Sequence, residues 1–185
     1  DPNGGEGKGQ WVEESIDDET GLRTGTFAIS NNYPDEPEGD LVSHQIEPNA
    51  NLEGAIMVEA SLQMANLKEA NLKESILVEA NLEGANLEGV DLTRADLGGA
   101  NLRGANLAGA VLIDANLEGA DLAGVNIDAA NLSGANLSGV NSSSISGTPQ
   151  SLPDGWILVD GELDESDDDG GDPNGDPNGG DGDPN

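Results

Sequence analysis

The chain has 185 residues and carries 37 acidic against 6 basic side chains, a formal net charge of −31 at pH 7. Phosphates and anionic lipids repel such a polyanion, and no apolar run approaches the roughly 20 residues that span a bilayer, so we expect neither direct nucleic-acid binding nor membrane insertion. The sequence contains no cysteine, which excludes disulfides, thiolate catalysis and Cys-based zinc sites.

The N-terminal part divides into a leader and a denser segment. Residues 1–9 are rich in Gly and predict a flexible leader. Residues 10–49 hold three of the four aromatic residues, in runs of strand-like composition separated by turn-rich stretches. Because the repeats that follow need a covered end, we predict an N-terminal cap here, with Trp11, Phe27 and Ile29 over the first coil. A separate ligand-binding module is the less favoured alternative, given the small size of the segment.

Residues 50–139 are eighteen consecutive five-residue units without an insertion. The first position is Ala in all but three units, the second is Asn or Asp in all but four, and the third is Leu except at Met57 and Ile127. A period of five fits neither a helix nor a flat strand, and it indicates a stacked repeat architecture. Since no unit can bury its Leu alone, stability must come from stacking between neighbours. The spacing alone does not fix how many sides make one coil.

This A(N/D)LxG pattern resembles the pentapeptide-repeat family over residues 50–139. The resemblance implies an all-β fold, a right-handed quadrilateral parallel β-helix with twenty residues per coil, here about 4.5 coils spanning roughly 22 Å at the usual strand spacing. We place this β-helix at residues 50–144. The resemblance also implies that the third-position side chains point inward and form one core ladder, namely Leu52, Met57, Leu62, Leu67, Leu72, Leu77, Leu82, Leu87, Leu92, Leu97, Leu102, Leu107, Leu112, Leu117, Leu122, Ile127, Leu132 and Leu137.

One pair of units breaks the polar pattern of the outward positions. At twenty residues per coil, Ile56 stacks on Ile76 and Val58 on Val78, which places four apolar side chains on one side of the first coils. We favour coverage of this patch by the N-terminal cap, because the patch lies beside the aromatic-bearing segment. The alternative is an interface for a protein partner or a second copy, which leaves monomer and dimer both open.

The C-terminal part divides in the same way as the N-terminal part. Residues 145–161 have the form GTP-x-x-LP-x-GW and resemble a segment that follows the repeats in some family members. We predict a C-terminal cap there, with Leu152, Trp156 and Leu158 over the last Leu layer. Residues 162–185 are rich in Asp, Gly, Asn and Pro and predict a disordered acidic tail.

The acidic tail offers hard oxygen ligands that suit Ca²⁺. The candidate ligands are Asp167, Asp168, Asp169, Asp172 and Asp176. The EF-hand pattern is absent, so a solvated linker is the favoured interpretation. Asp-Pro-Asn-Gly occurs in both terminal segments, which is typical of a module within a longer chain with repeated linkers.

Catalytic chemistry has little support in this sequence. His44 is the only histidine, and carboxylates on an open convex surface lack the desolvated cleft that tunes catalytic pKa values. We therefore expect no enzyme, no catalytic residues and no cofactor, and we predict a structural or protein-interaction scaffold with an unknown partner. The family resemblance implies one alternative, an anionic mimic of duplex DNA that binds DNA gyrase. The composition suggests another, a secreted or halotolerant module with a Ca²⁺-binding tail; secreted and cytoplasmic locations both fit the sequence.

Overall fold

The computed structural model describes residues 10–30 and 41–166. In these residues the chain forms five strands and no helix: β1 (Gln10–Ile16), β2 (Arg23–Ser30), β3 (Leu41–Ile46), β4 (Trp156–Val159) and β5 (Glu162–Glu165). The first three strands make an antiparallel sheet with β2 in the centre, and the last two make an antiparallel hairpin. The repeats lie between these two sheets in the sequence and pair through isolated bridges.

The repeats stack as a β-helix. Second-position residues form parallel bridges with the residues twenty positions later, for example Asn81 with Asn101 and Asn101 with Asp121. A spacing of twenty residues means that four five-residue units complete one coil. Units twenty residues apart therefore lie directly above one another, and we call each such stack a row.

The backbone amides of a unit are satisfied in a fixed way, as residues 95–99 show. The first amide donates to the Leu92 carbonyl of the preceding unit (3.0 Å), and the second donates to Ser75 in the preceding coil (2.9 Å). The third and fifth donate to the next coil (2.7 and 2.8 Å). The fourth donates to the side-chain Oδ1 of Asp96 (3.1 Å). A unit is thus tied to both neighbouring coils, and its second-position Asn or Asp completes the pattern.

The backbone conformation at the fifth position of each unit explains why Gly is frequent there. Its φ is positive throughout one representative row, with 56° at Glu79 and 66° at Gly99 directly below it. This left-handed conformation suits Gly and costs other residues roughly 1–2 kcal/mol.

The core is a continuous ladder of aliphatic side chains. All eighteen third-position residues are buried, and none is more than 4% exposed. Full burial of a Leu contributes about 1.5–3 kcal/mol, so this ladder is the main source of stability. Ser75 replaces one of the inward Ala residues, and its hydroxyl donates to the Leu72 carbonyl (2.8 Å), so no polar group is left unsatisfied there.

The N-terminal sheet packs its apolar face into the same core. Phe27 and Ile29 of β2 and Ile46 of β3 are at most 1% exposed and belong to one apolar cluster with Leu52 and the rest of the ladder. Phe27 and Ile29 lie two residues apart and so share one face of β2, and Ala28 between them is buried as well, at 2% exposed.

Two further contacts attach this sheet to the first repeats. Arg23 bridges Ala65 in parallel, in the place that a preceding coil would take. Trp11 is half-buried, lies edge-on to Phe27 with ring centroids 5.6 Å apart, and donates from Nε1 to the Ser61 carbonyl (3.2 Å). The Arg23 guanidinium lies 4.7 Å from the centroid of the Trp11 ring, within cation–π range.

The stacking continues beyond the recognisable repeats. Asn126 bridges Ser146 and Asn131 bridges Ser151, so backbone pairing extends past residue 144, where the sequence pattern ends. The pairing does not need the consensus side chains, because the ladder bonds are made by backbone groups. Leu152 and Trp156 are half-buried and pack against the core cluster.

The C-terminal hairpin includes residues 162–165, which the sequence analysis had placed in the acidic tail. Glu162–Glu165, which composition alone placed in a disordered segment, form β5 and pair with β4. Leu163 is the reason: it lies opposite Leu158, is only 8% exposed, and its amide donates to the Ser142 hydroxyl (3.0 Å). One inward Leu between acidic neighbours is enough to order this short strand.

Candidate interaction face

One row of the β-helix carries an exposed apolar strip. We call the units 55–59, 75–79, 95–99 and 115–119 the Ile56 face. Ile56 bridges Ile76, and both side chains are 38% exposed, whereas Val58 and Val78 beside them are half-buried. The strip is therefore contiguous over the first two levels of the row. The described part of the N-terminal segment does not bury Ile56 and Ile76, although the sequence favoured coverage by that segment.

These apolar residues interrupt the local hydrogen bonding of the fold. In thirteen of the fourteen units with Asn or Asp at the second position, its Oδ1 accepts the amide of the fourth residue. Isoleucine cannot accept this bond, and the amides of Val58 and Val78 have no acceptor among residues 10–30 and 41–166. Ile56 and Ile76 thus give up a stabilising turn and expose an aliphatic side chain instead; Val111 makes the same replacement once, on another row, and is half-buried. Local departures of this kind are typical of functional positions.

The charge of the Ile56 face also differs from that of the other rows. It carries four carboxylates, those of Glu59, Glu79, Asp96 and Glu118, and no Lys or Arg. Every other row of residues 50–139 contains at least one cation, and each of those cations is ion-paired. The pairs are Lys68 with Glu88 (3.1 Å), Lys73 with Asp91 (3.0 Å), Arg103 with Asp121 (3.2 Å), and Arg94 with Glu74. Acidic charge is therefore least compensated beside the apolar strip.

A cavity opens at the N-terminal end of this face. Its volume is about 300 Å³, and its lining includes His44, Leu52, Glu53 and Ile56. Burial lowers the pKa of His44, so its imidazole is neutral at pH 7. The Glu53 carboxylate at the rim accepts a bond from Asn71 (3.1 Å). The cavity thus combines an aliphatic wall with one anionic group.

The structure brings some predicted site residues together and leaves others outside. It places Ile56, Val58, Ile76 and Val78 side by side, as the twenty-residue spacing requires. The calcium candidates Asp167, Asp168, Asp169, Asp172 and Asp176 lie outside the described residues. Within the described ranges, no group of three or more His, Asp or Glu side chains is placed to hold a metal ion. No helical segment there has the length and apolar character to cross a membrane.

Two of the acidic residues beside the strip, Glu59 and Glu79, had not been singled out from the sequence. Glu59 and Glu79 occupy fifth positions, and Asp96 and Glu118 follow on the same row. Summing the charges row by row, once the twenty-residue stacking is assumed, would have identified them. The cavity beside His44 had no such signal, because the fold of the non-repetitive segment is not periodic.

Together, these features define a stacked-repeat solenoid with an apolar strip on one acidic face. The sequence profile of the pentapeptide repeats matches the chain in eight copies, over residues 48–73, 65–104 and 105–141. These matches cover just over half of the chain, and the chain belongs to the pentapeptide-repeat family. None of the curated protein sequences matches it.

Several solved structures of pentapeptide-repeat proteins are similar to this chain. The protein Rfr23 from the cyanobacterium Cyanothece 51142 is 29% identical, with a match over 58% of this chain and 91% of its own and a TM-score of 0.34. A protein from the Arabidopsis thaliana thylakoid lumen is 30% identical over 52% of this chain and 67% of its own, with a TM-score of 0.39. A protein from Nostoc PCC 7120 is 35% identical over 47% of this chain and 76% of its own, with a TM-score of 0.42.

Proposed function

We propose that this protein is a non-enzymatic interaction scaffold, in which a right-handed quadrilateral β-helix of about 4.5 coils displays the Ile56 face to a protein partner. The N-terminal sheet and the C-terminal hairpin act as its caps. The observation that carries the proposal is the exposure of Ile56 and Ile76, 38% each, at a unit position that is Asn or Asp in fourteen of the eighteen units.

Rigidity supports a scaffold role. Amides of the units in the middle coils donate to both neighbouring coils, at distances of 2.7–2.9 Å in residues 95–99. Side chains of one row are therefore held at a fixed spacing of about 4.8 Å. A surface that is already ordered loses little conformational entropy when it binds.

The geometry gives no support to catalysis. His44 is half-buried in β3 and lies opposite Phe27 in the sheet. The carboxylates of the Ile56 face lie along a convex row, where no cleft excludes water from them. We therefore propose no catalytic role for either.

The charge distribution favours a scaffold over a mimic of DNA. A duplex presents negative charge on all sides, whereas three of the four rows here contain cations that neutralise neighbouring carboxylates. A DNA-supercoiling assay with gyrase at physiological salt separates the two functions. The scaffold proposal predicts no more inhibition than polyglutamate of equal charge produces. Saturable inhibition by the protein alone would favour the mimic.

Photo-crosslinking tests the scaffold proposal. A photoreactive residue is placed at position 76 in one version of the full chain and at position 111, on another row, in a second version. We expect position 76 to capture a protein from extracts of the source cells, and the purified partner to rebind the unmodified chain. Capture that is equal from both positions, or a partner that does not rebind after purification, would contradict the proposal.

A further inference from the structure

We infer that the Ile56 face binds a cationic protein segment that presents aliphatic side chains between lysines or arginines. This inference rests on the proposed scaffold function and specifies the chemistry of the partner. It follows from three features of one surface: the apolar strip, the uncompensated carboxylates and the adjacent cavity.

The apolar strip sets the first requirement on the partner. Ile56 and Ile76 stack directly, and half-buried Val58 and Val78 extend the strip sideways. From Asp96 onward the same row is polar again, since Asn116 donates to Asp96 (2.8 Å). The apolar area is thus limited to two levels of the β-helix, which suits a few aliphatic side chains rather than a large flat interface.

The carboxylates set the second requirement. Glu59 and Glu79 flank the strip, Asp96 and Glu118 continue the row, and no cation of the row neutralises them. Neighbouring levels are about 4.8 Å apart, within the Debye length of about 8 Å at physiological salt, so the fields of carboxylates on adjacent levels add. A second copy of this chain would bring four more carboxylates and a net charge of −31 to the contact. Charge complementarity therefore selects a basic partner over self-association.

The cavity supplies a place for one long basic side chain. Its wall includes Leu52, Ala55 and Ile56, which fit an aliphatic stem, and Glu53 lies at the rim to receive an ammonium or guanidinium group. His44 is neutral and adds no repulsion. An aliphatic anchor on the strip and a basic side chain in the cavity thus fit the same bound segment.

The test uses two synthetic peptides and the full-length chain. One peptide alternates lysine and valine, and the other alternates lysine and serine, so that the second reports charge attraction alone. The key variant is Ile56→Asn with Ile76→Asn, because Asn is the usual residue at these positions and keeps the fold. Val111→Asn is the matched control, since it makes the same kind of change on another row.

We expect the wild-type chain to bind the lysine–valine peptide about tenfold more tightly than the lysine–serine peptide. The double Asn variant should lose this preference, and Val111→Asn should retain it. Amide chemical shifts should change at residues 55–59 and 75–79 on binding. Glu59→Gln with Glu79→Gln should weaken binding more than Glu69→Gln with Asp114→Asn, which removes carboxylates from the same unit position on other rows without breaking an ion pair.

Three results would overturn the inference, and each has a distinct meaning. If the lysine–valine preference persists in the double Asn variant, or the shifts map to another row, the face is wrongly assigned while a scaffold function stands. If crosslinking from position 76 captures a partner but the peptides bind alike, the scaffold stands and the cationic, aliphatic partner is wrong. A dimer in sedimentation equilibrium that dissociates in the double Asn variant would assign the face to self-association.

Discussion

At the scale of single residues, the second position of each unit has two structural roles. Asn accepts the amide of the fourth residue, and it also donates to the side chain in the preceding coil, as Asn101 does to Asn81 (3.2 Å). Ionised Asp can only accept. None of the three second-position Asp residues in the repeats stacks on another Asp, because each has Asn, Ile or Val above and below it. The choice between Asn and Asp is therefore set by the neighbouring coils.

Asn116 provides a test of these roles. It donates to Asp96 (2.8 Å) and accepts from Asn136 (3.1 Å) and from the Glu118 amide (3.2 Å). Asn116→Ala should lower the free energy of unfolding by about 1–3 kcal/mol, since hydrogen-bonded groups lose their partner. Asn116→Asp keeps the accepting bonds but places a second carboxylate opposite that of Asp96. The stability that this variant loses should therefore be smaller at low pH and at high salt. Urea denaturation at two pH values measures both effects. An Asn116→Asp variant as stable as wild type at pH 7 would contradict these hydrogen-bonding roles.

Asp91 gives a prediction about pH. Burial raises its pKa, but hydrogen bonds from Thr93 and Lys73 and the charge of Lys73 outweigh burial, so the net shift is downward from 3.8. A folded-state pKa below the unfolded value means that the stabilisation is complete above pH 4 and is lost as the pH falls below it. Asp91→Asn should reduce the fall in stability between neutral and acidic pH. Urea midpoints across this range provide the measurement, and an unchanged pH slope would refute the assignment.

At the scale of elements, the N-terminal sheet packs its apolar side chains against the core of the repeats. Trp11 makes one of the sheet's contacts with the repeats, a hydrogen bond from Nε1 to the Ser61 carbonyl, and packs on Phe27 within the sheet. Trp11→Ala should cost about 2–3 kcal/mol, less than a fully buried Trp because the ring is half-exposed. Trp11→Phe keeps most of the packing and should cost only about 1 kcal/mol for the lost hydrogen bond. Thermal denaturation compares the two; equal stability of Trp11→Ala and wild type would show that Trp11 does not anchor the sheet to the repeats.

The elements also show which parts of the fold could be predicted from sequence. The repeats were predictable because their period of five, with the family resemblance, places each Leu inward and each second-position residue twenty residues from its partner. β5 was not, because its single Leu163 is surrounded by acidic residues that dominate the composition. The parallel contact of Arg23 with Ala65 had no signal either, since the N-terminal segment has no repeat from which to read a register.

The candidate face was only partly predictable for a related reason. Ile56 and Ile76 stood out against the consensus of their own position, so the apolar strip could be found from the sequence. Its exposure depended on where the strands β1, β2 and β3 pack, and that packing is set by tertiary contacts such as those of Phe27 and Ile29 with the core.

At the scale of the whole molecule, charge repulsion opposes compactness. The net charge is −31, and four ion pairs in the repeats offset only a small part of it. Raising NaCl from low salt to about 0.5 M should increase the free energy of unfolding, because the Debye length falls below 10 Å. Surface ion pairs weaken in salt, but each contributes at most about 1 kcal/mol. Denaturant titrations at several salt concentrations test this, and a flat or falling stability would contradict it.

Calcium distinguishes simple screening from the alternative of a Ca²⁺-binding tail. At matched ionic strength, CaCl₂ and NaCl should stabilise the protein equally if screening is the only effect. A larger effect of Ca²⁺ that saturates would favour specific ligation by residues such as Asp167 and Asp172.

The central claim is that Ile56 and Ile76 serve a partner and not the fold. The most direct measurement is the free energy of unfolding of the Ile56→Asn and Ile76→Asn double variant, with Val111→Asn alongside. We predict a value within about 1 kcal/mol of wild type. The new Asn side chains can bond to the fourth amide of their own unit and to each other across the coils, which offsets the lost aliphatic contacts. A loss of about 3 kcal/mol or more, comparable to truncation of a core Leu, would show that the two isoleucines are structural and would remove the reason to assign this face to binding.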